Sequence, residues 1–487
     1  MKRVGEMCSL TKYKKALFIL PHPDDELNIS AQIIPSLKKR DVDMFFVFTT
    51  NGDYSKEIGN RRIREALNSL EQLGINDDKV EFLGYSNDWA GSTHLYNFQE
   101  GKIGKSISEN VKTSGFQDVD EFCYKTTKEH HFYSRENFKE DLRSVILNVM
   151  ADIIICVDFD SHPDHRATSL MTEEILGELF SCNANYRPIV LKKFAYNGVW
   201  GGKRDYYQYP RVETKNSGGF VYSGQLHELE SPAFLWGDRI QLATSLETKG
   251  YLLRKNNIYK AAKKHTSTLA WFNMLGALND DVVYWWRPTL NLLFNARIEA
   301  TSGNPSYIND FKLYDSSNVL NKCEPFEDKY FGAWVPDSND LMPKIKISFS
   351  ETVKVAEIRL YEICSVEDHI VKARITDSEG KLLFSTELNT DGSATTLRLD
   401  NACEVQGICI SIIEYIGKPA ITEIEVYSEH QKFDNIYFPC ESYKKTTNFS
   451  LPIFNDKILV YSEYILFHKI PNDLLPKAIH QIEAHLN

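Results

Sequence analysis

Three observations predict the fold class, an α/β layer built on a mostly parallel sheet and followed by an antiparallel β-sandwich. Short apolar runs alternate with amphipathic helical stretches over roughly the first 290 residues, the pattern of strands covered by helices on both faces. From there to about residue 429 the runs are short and β-rich, and turn signals separate them. Two apolar runs of the first part also end abruptly in histidine and aspartate. In a parallel sheet such strand ends lie on one rim, where ligands bind.

The elements follow in order. "KALFIL" reads as a buried strand that stops at Pro21. "LNISAQIIPSLKKR" reads as helix, with Pro35 a kink or break. "DMFFVFTTNG" is a second strand ending in a turn, "RRIREALNSLEQLG" a helix closed by Gly74, and "VEFLGY" a third strand. In "SRENFKEDLRSVILNVM", Phe138, Leu142, Val145, Ile146 and Val149 share one helical face behind a Ser134 N-cap. "DIIICVD" is a continuous apolar run, as a central parallel strand requires. A helix from about Ala167 and the strand "IVLKKFAYN" follow. This is a Rossmann-like sandwich occupying residues 1–290. Residues 291–429 form the β-sandwich, with runs such as "KIKISF", "VAEIRLYEI", "TTLRLD", "GICISII" and "ITEIEVYS". Residues 430–487 have mixed signals: "KILVYSEYILFH" reads as a strand pair and "NDLLPKAIHQIEAHL" as a closing helix.

Composition narrows the function. The chain has 487 residues, 42% hydrophobic and 25% charged, ample for two or three cores. A formal net charge of -11 disfavours nonspecific attachment to nucleic acid or to an anionic membrane. The nine cysteines are scattered and contain no C-x-x-C pair, which fits free thiols in a reducing compartment. The first residues lack the apolar core of a signal peptide, and no run reaches the length of a transmembrane helix. A cytoplasmic location is the expectation.

The strand-end clusters carry the chemistry. The first is "PHPDDE", with His22, Asp24, Asp25 and Glu26; the second is "SHPDHRA", with His162, Asp164 and His165. Converging imidazoles and carboxylates are what a divalent metal needs, and a neighbouring unligated carboxylate suits a general base. Either cluster alone would be an ordinary capped turn; both together, each behind a buried strand, indicate a metal site.

These two motifs, the alternation between them and "RRIREALNSLEQLG" resemble the LmbE-like zinc deacetylases, the family of N-acetylglucosaminyl-phosphatidylinositol de-N-acetylase (PIG-L) and of the mycothiol and bacillithiol deacetylases. The resemblance covers about residues 14–200. It implies Zn2+ held by His22, Asp25 and His165, with another divalent transition metal as the alternative. It implies Asp24 as general base, His162 as the protonated group that stabilises the oxyanion, and Asp164 as the acid that orients a histidine. Arg62, in an R-x-x-E pattern, and Asp88, in "LGYSNDW", would contact the substrate. Glu26 is read as structural. The chain departs from the family at Asp160, where an aromatic residue is usual two positions before the first histidine of "HPDH". "YKAAKKHTSTLAWF" is similar to a later H-x-S segment of the family, too loosely to give His265 a role.

Other features have plainer readings. "QEGKIGKS" lacks the leading glycine and strand of a phosphate loop and reads as solvated loop. His130 and His131 read as surface residues, Cys156 as a packed thiol, and Trp200, Trp285 and Trp286 as packing or sugar-stacking residues. The second part, from "EATSGNPSYINDF" to "ITEIEVYSE", resembles a discoidin-like sandwich of the coagulation-factor type C kind. That resemblance implies a galactose-binding-like, possible carbohydrate-binding module; a structural or oligomerising role is the alternative. The sequence thus predicts a hydrolase that removes the N-acetyl group of an amino sugar in a glycoconjugate or glycan precursor. Two alternatives stand beside it: a metal-dependent amidase on another N-acyl substrate, and a non-catalytic carbohydrate-binding protein.

Overall fold

The computed structural model describes residues 13–53, 56–87, 101–106, 110–116, 118–160, 162–195, 220–222, 225–227, 239–243, 256–268, 270, 277, 281–313, 328, 330–363, 365–390 and 392–433. The expected strand pair and helix beyond residue 433, Asp88 and Trp200 lie outside them.

The parallel sheet is built from β1 (Lys15–Leu20), β2 (Asp43–Thr50), β3 (Val80–Tyr85), β4 (Ile153–Val157) and β5 (Ile189–Lys193). Its order is β3-β2-β1-β4-β5, with every one of these neighbours parallel. A small hairpin, β6 (Phe220–Tyr222) and β7 (Gln225–His227), stands apart. β8 (Arg239–Ala243) and β9 (Asp281–Arg287) extend the sheet beyond β5 with antiparallel pairings.

β1 shows why the sheet is covered on both sides. Ala16, Phe18 and Leu20 pack with Phe46, Phe48, Ile63, Ala66 and Leu70 on one face. Leu17 and Ile19 pack with Leu142, Val145, Ile146, Leu170 and Ile175 on the other. The period-2 alternation of a strand sends neighbouring residues into different cores, so the whole run must be apolar.

The helices match the predicted pattern with two differences. Pro35 does break the helix after "PHPDDE": α1 (Asp25–Ile29) and α2 (Ile34–Lys38) are separate, with the proline in the first turn of the second. α3 (Lys56–Gln72) ends before Gly74, whose φ of 81 suits glycine. α4 (Phe122–Thr127) and α5 (Arg135–Val149) follow, and the Ser134 side chain caps the latter by accepting from Asn137 N at 3.2 Å. α6 (Pro163–Cys182) starts earlier than Ala167, because His162 caps it and Pro163 pre-sets its first turn. α7 (Asn257–Ala262) packs against α3.

The second part is all antiparallel: β10 (Arg297–Ala300), β11 (Lys344–Glu362), β12 (His369–Asp377), β13 (Leu382–Thr386), β14 (Thr395–Ile416) and β15 (Ile421–Tyr427). "KIKISF" and "VAEIRLYEI" are two ends of one 19-residue strand, and "TTLRLD" and "GICISII" two ends of one 22-residue strand. The polar residues between them contain no proline to stop the ladder. Register breaks between Ser348 and Val353 and between Val355 and Glu357 bend it instead.

The two parts meet through buried charge. Arg287, at the end of β9, reaches Glu173 of α6 at 2.5 Å and Glu425 of β15 at 3.5 Å. Glu173 also takes Lys192 Nζ at 2.7 Å and the backbone N–H of Leu313 at 3.1 Å. All four charged side chains are buried. Gly177 of α6 lies so close to the second part that a Cβ there would stand 2.3 Å from the Asp310 carbonyl oxygen. Among the described residues no helix is long and apolar enough to cross a membrane.

Candidate metal centre

β1 and β4 are adjacent, paired from Ala16↔Ile153 to Ile19↔Cys156. They flank the point where the strand order reverses, because β1 also pairs with β2 on its other side. The loops that follow them therefore meet, although His22 and His165 stand 143 positions apart in sequence.

The first loop is a tight turn. Asp25 N donates to the His22 carbonyl at 3.0 Å and Leu27 N to that of Asp24 at 3.1 Å. Thr50 ties the turn to β2: its N–H and its hydroxyl each donate to the Pro21 carbonyl at 2.9 Å. Asp24 pays for this geometry with φ 146, ψ -18, a conformation that non-glycine residues rarely adopt and that clusters at functional sites.

Three donor atoms converge. His22 Nδ1 lies 3.1 Å from Asp25 Oδ2 and 3.0 Å from His165 Nε2, and His165 Nε2 lies 3.3 Å from the same carboxylate oxygen. The outer nitrogens fix the tautomers. His22 Nε2 donates to Asp164 Oδ2 at 2.8 Å, and His165 Nδ1 donates to both oxygens of Asp160 at 2.9 Å. Each ring proton is thus on the far side, and two lone pairs and a carboxylate oxygen face one another. Zinc bonds of about 2.0–2.2 Å at tetrahedral angles separate their ligand atoms by roughly 3.3 Å, so the triangle fits a cation of that kind. The carboxylate behind each imidazole is the usual outer support of a metal-bound histidine.

Electrostatics point the same way. Burial works against the charged form of His165, yet Asp160 and Asp25 outweigh it and push its pKa up to about 10. His22 is also raised: burial opposes its charge, and Asp164 and Asp25 overcome it. Burial alone would raise Asp25, but His165 and His22 hold it well below the usual carboxylate range. The cluster demands positive charge, which a divalent cation provides.

Asp24 stands beside the triangle. Burial raises its pKa despite the Arg62 guanidinium, whose Nη2 is 3.0 Å from Asp24 Oδ2. Arg62 also donates to the Pro23 carbonyl at 3.3 and 3.2 Å and to the Gly52 carbonyl at 2.9 Å. It was expected against substrate; the structure places its guanidinium on the turn and on Asp24. Gly52 has φ 63, and a Cβ there would fall 2.7 Å from the guanidinium carbon, so only glycine admits this arginine. His162 is the buried cap of α6, its Nδ1 accepting from Asp164 N at 3.1 Å. Nε2 therefore carries the ring proton. Burial, with His22 and His165 near, holds its pKa well below the ordinary value. One nitrogen of each of His22, His162 and His165 lies within 4.8 Å of the others, a looser set than the triangle.

Sequence reasoning missed three residues here. Asp160, noted only as a departure, anchors His165 and also accepts from His162 N at 3.0 Å and Ala195 N at 3.1 Å. His265 Nε2 pairs with Glu26 Oε1 at 2.5 Å, both fully buried. Asp53 accepts from Ser86 Oγ at 3.0 Å and Asn87 N at 3.2 Å. An acid beside an H-x-x-H pattern was the only local signal for the first, the loose H-x-S resemblance the only one for His265, and Asp53 had none. Cys156 is a packed thiol whose pKa burial pushes up to about 12. Trp285 is buried against Arg287, while Trp286 is partly buried and meets Phe433 edge-on at 5.5 Å.

Comparison with known proteins adds two findings. Solved structures similar to the chain are carbohydrate-binding domains matched over its C-terminal region. The family 32 CBM from C. perfringens NanJ, in complex with galactose, is 18% identical, covers 27% of this chain and 92% of its own, and has a TM-score of 0.21. The family 32 carbohydrate-binding module from Streptococcus pneumoniae EndoD is 14% identical over 28% of this chain and 99% of its own, with a TM-score of 0.22. A fucolectin from Morone saxatilis serum is 17% identical over 32% of this chain and 59% of its own, also at 0.22. None of the curated proteins matches the chain. Residues 17–176, which contain every donor of the triangle, match the family model described as PIG-L: GlcNAc-PI de-N-acetylase, and the chain therefore carries a domain of that family.

Proposed function

We propose that the protein is a zinc-dependent de-N-acetylase of an N-acetylated amino sugar within a glycoconjugate or glycan precursor. The observation that carries this reading is the pairing of a three-donor triangle with a fourth, unshared carboxylate beside it, Asp24. His22, Asp25 and His165 would hold the metal. A divalent cation there supplies polarisation of the acyl carbonyl and lowers the pKa of water to roughly 7.

The chain's own groups do the rest. Asp24, buried and fixed by Arg62, takes the proton of the water that attacks the carbonyl carbon. Its raised pKa brings it nearer the working pH, where a base is most effective. His162 donates from Nε2 to the oxygen that gains charge, an interaction made only as that charge develops. Asp24 then returns its proton to the amine nitrogen as the C–N bond breaks, which leaves acetate and the free amine. Asp160 and Asp164 keep the two imidazoles in the tautomers that bind metal. Asp88, a matching family position, is proposed to contact the sugar, and the sandwich to bind more of the glycan.

The test is acetate release from a panel of N-acetylhexosamine conjugates, GlcNAc-phosphatidylinositol included, by zinc-loaded protein. Equimolar acetate and amine from at least one conjugate is the expected result. Metal bound at the triangle with no acyl conjugate turned over would overturn the reading in favour of a carbohydrate-binding protein.

A further inference from the structure

We infer a second metal site, separate from the triangle, in which Cys123, His131 and Asp141 bind a transition cation such as Zn2+. One ligand atom from each of Cys123, His131 and Asp141 lies within 4.8 Å of the other two. The cysteine, Asp141 and Glu121 are buried, and His131 is half-buried.

Unmet valence marks the spot. His131 Nδ1 lies 2.8 Å from Asp141 Oδ1, yet this buried nitrogen has no aligned hydrogen bond. Two donors that approach side by side without pointing at each other are what a shared cation produces. Glu121 flanks the set: its Oε1 pairs with His130 Nδ1 and lies 3.8 Å from Cys123 Sγ. Zn–N, Zn–O and Zn–S bonds of about 2.0–2.3 Å separate ligand atoms by roughly 3.3–3.6 Å, and the 2.8 Å His131–Asp141 contact and the 4.8 Å limit of the three-donor set bracket that span. An outer shell is also in place. The Tyr85 hydroxyl donates to Asp141 Oδ2 at 2.8 Å and so turns Oδ1 toward His131. Thr113 Oγ1 stands 3.2 Å from Sγ and 3.3 Å from Glu121 Oε1.

The donor set selects the cation. Thiolate plus imidazole suits zinc, cobalt or iron, whereas magnesium and calcium take oxygen ligands. A Cys–His–Asp nucleophile is the competing reading of the same residues. It fails on geometry: the side-chain hydrogen bonds of Cys123 Sγ run to Thr113 Oγ1 and Glu121 Oε1, and the His131 ring, which a nucleophile would need as its base, is turned to Asp141 instead. The site has a structural purpose. Between residues 101 and 133 the described chain holds one six-residue helix and two isolated bridge pairs, Lys112↔Phe132 and Phe116↔Val119. A cation here ties that irregular segment to α5 through Asp141 and to the end of β3 through Tyr85.

The experiment strips the whole protein of metal with a chelator and reloads it with Co2+. Two equivalents are expected, with a near-ultraviolet thiolate-to-cobalt charge-transfer band that the cysteine-free triangle cannot give. Cys123→Ser should lose the band and fall to one equivalent; His165→Ala should keep the band and also fall to one. A single equivalent without the band in the unaltered protein overturns the site, as does a Cys123→Ser protein that keeps both. The spectrum of the unaltered protein needs no variant to fold, and neither readout depends on deacetylation.

Discussion

The two clusters of metal-ligating side chains differ in how the chain assembles them and in what lies beside them. The triangle joins loops from adjacent strands, rests on Asp160 and Asp164, and has the Asp24 carboxylate next to it, the proposed base. The Cys123 cluster joins an irregular segment to a helix; the hydroxyls of Tyr85 and Thr113 back it, and the Glu121 carboxylate beside it is paired with His130. Each cluster converges three donors, and the additional acid beside the triangle, Asp24, is held by Arg62. On the proposed readings, chemistry belongs to the switch point of the sheet and scaffolding to the loop beside it.

The strongest way to break this contrast is to remove the spare base. Asp24→Asn should retain metal at the triangle and lose at least about a hundredfold in kcat. A variant with parental turnover would reduce the triangle to the same standing as its neighbour. A smaller effect should follow from the backing acids. Asp160→Asn leaves the His165 ring in place with a weaker acceptor, and zinc affinity should fall about 10–100-fold in competition with a chromogenic chelator. Unchanged affinity would mean that the carboxylate does not act on the ligand.

The smallest effect sharpens the point that acids at this rim need cations. Asp53 has no imidazole or arginine among its hydrogen bonds, and burial pushes its pKa up to about 6. The folded state therefore keeps this proton after the unfolded chain, with a pKa near 3.9, has lost it. Stability should fall as pH rises from about 4 to about 6 and level off above that, by about 3 kcal/mol. Asp53→Asn should flatten that part of the profile in urea unfolding of the metal-stripped protein. An unaltered slope would assign it to other groups.

Much of the α/β layer was legible because strand and helix periodicities are local. "KALFIL" and "DIIICVD" announce buried strands by themselves, and their charged ends announce the rim. The triangle was legible for the same reason: each half sits directly after its strand. What escaped depended on side chains meeting across long separations. Glu26 and His265 stand 239 positions apart, and nothing near either announces the other. The hold of Arg62 on the Pro23 and Gly52 carbonyls and on Asp24 was not legible either, because no residue pattern reveals backbone partners. His131 looks like a surface residue in a polar segment until Asp141 on the next helix is brought beside it. The sandwich strands were read as too short because the polar residues at the register breaks look like turns, and Gly407, at one break, marks a bulge and not a chain reversal.

The Arg287 junction has a practical meaning for anyone who wishes to work with the catalytic half alone. Ending the polypeptide at residue 290 would delete Glu425 and the Leu313 amide, expose the Gly177 side of α6, and leave Glu173 and Arg287 facing water they were built to avoid. Losing one partner of a buried ion pair costs about 3–5 kcal/mol, a large share of what keeps an ordinary domain folded. A polypeptide that ends after the sandwich keeps this junction intact, and one that ends before it keeps only the Glu173–Arg287 and Glu173–Lys192 contacts.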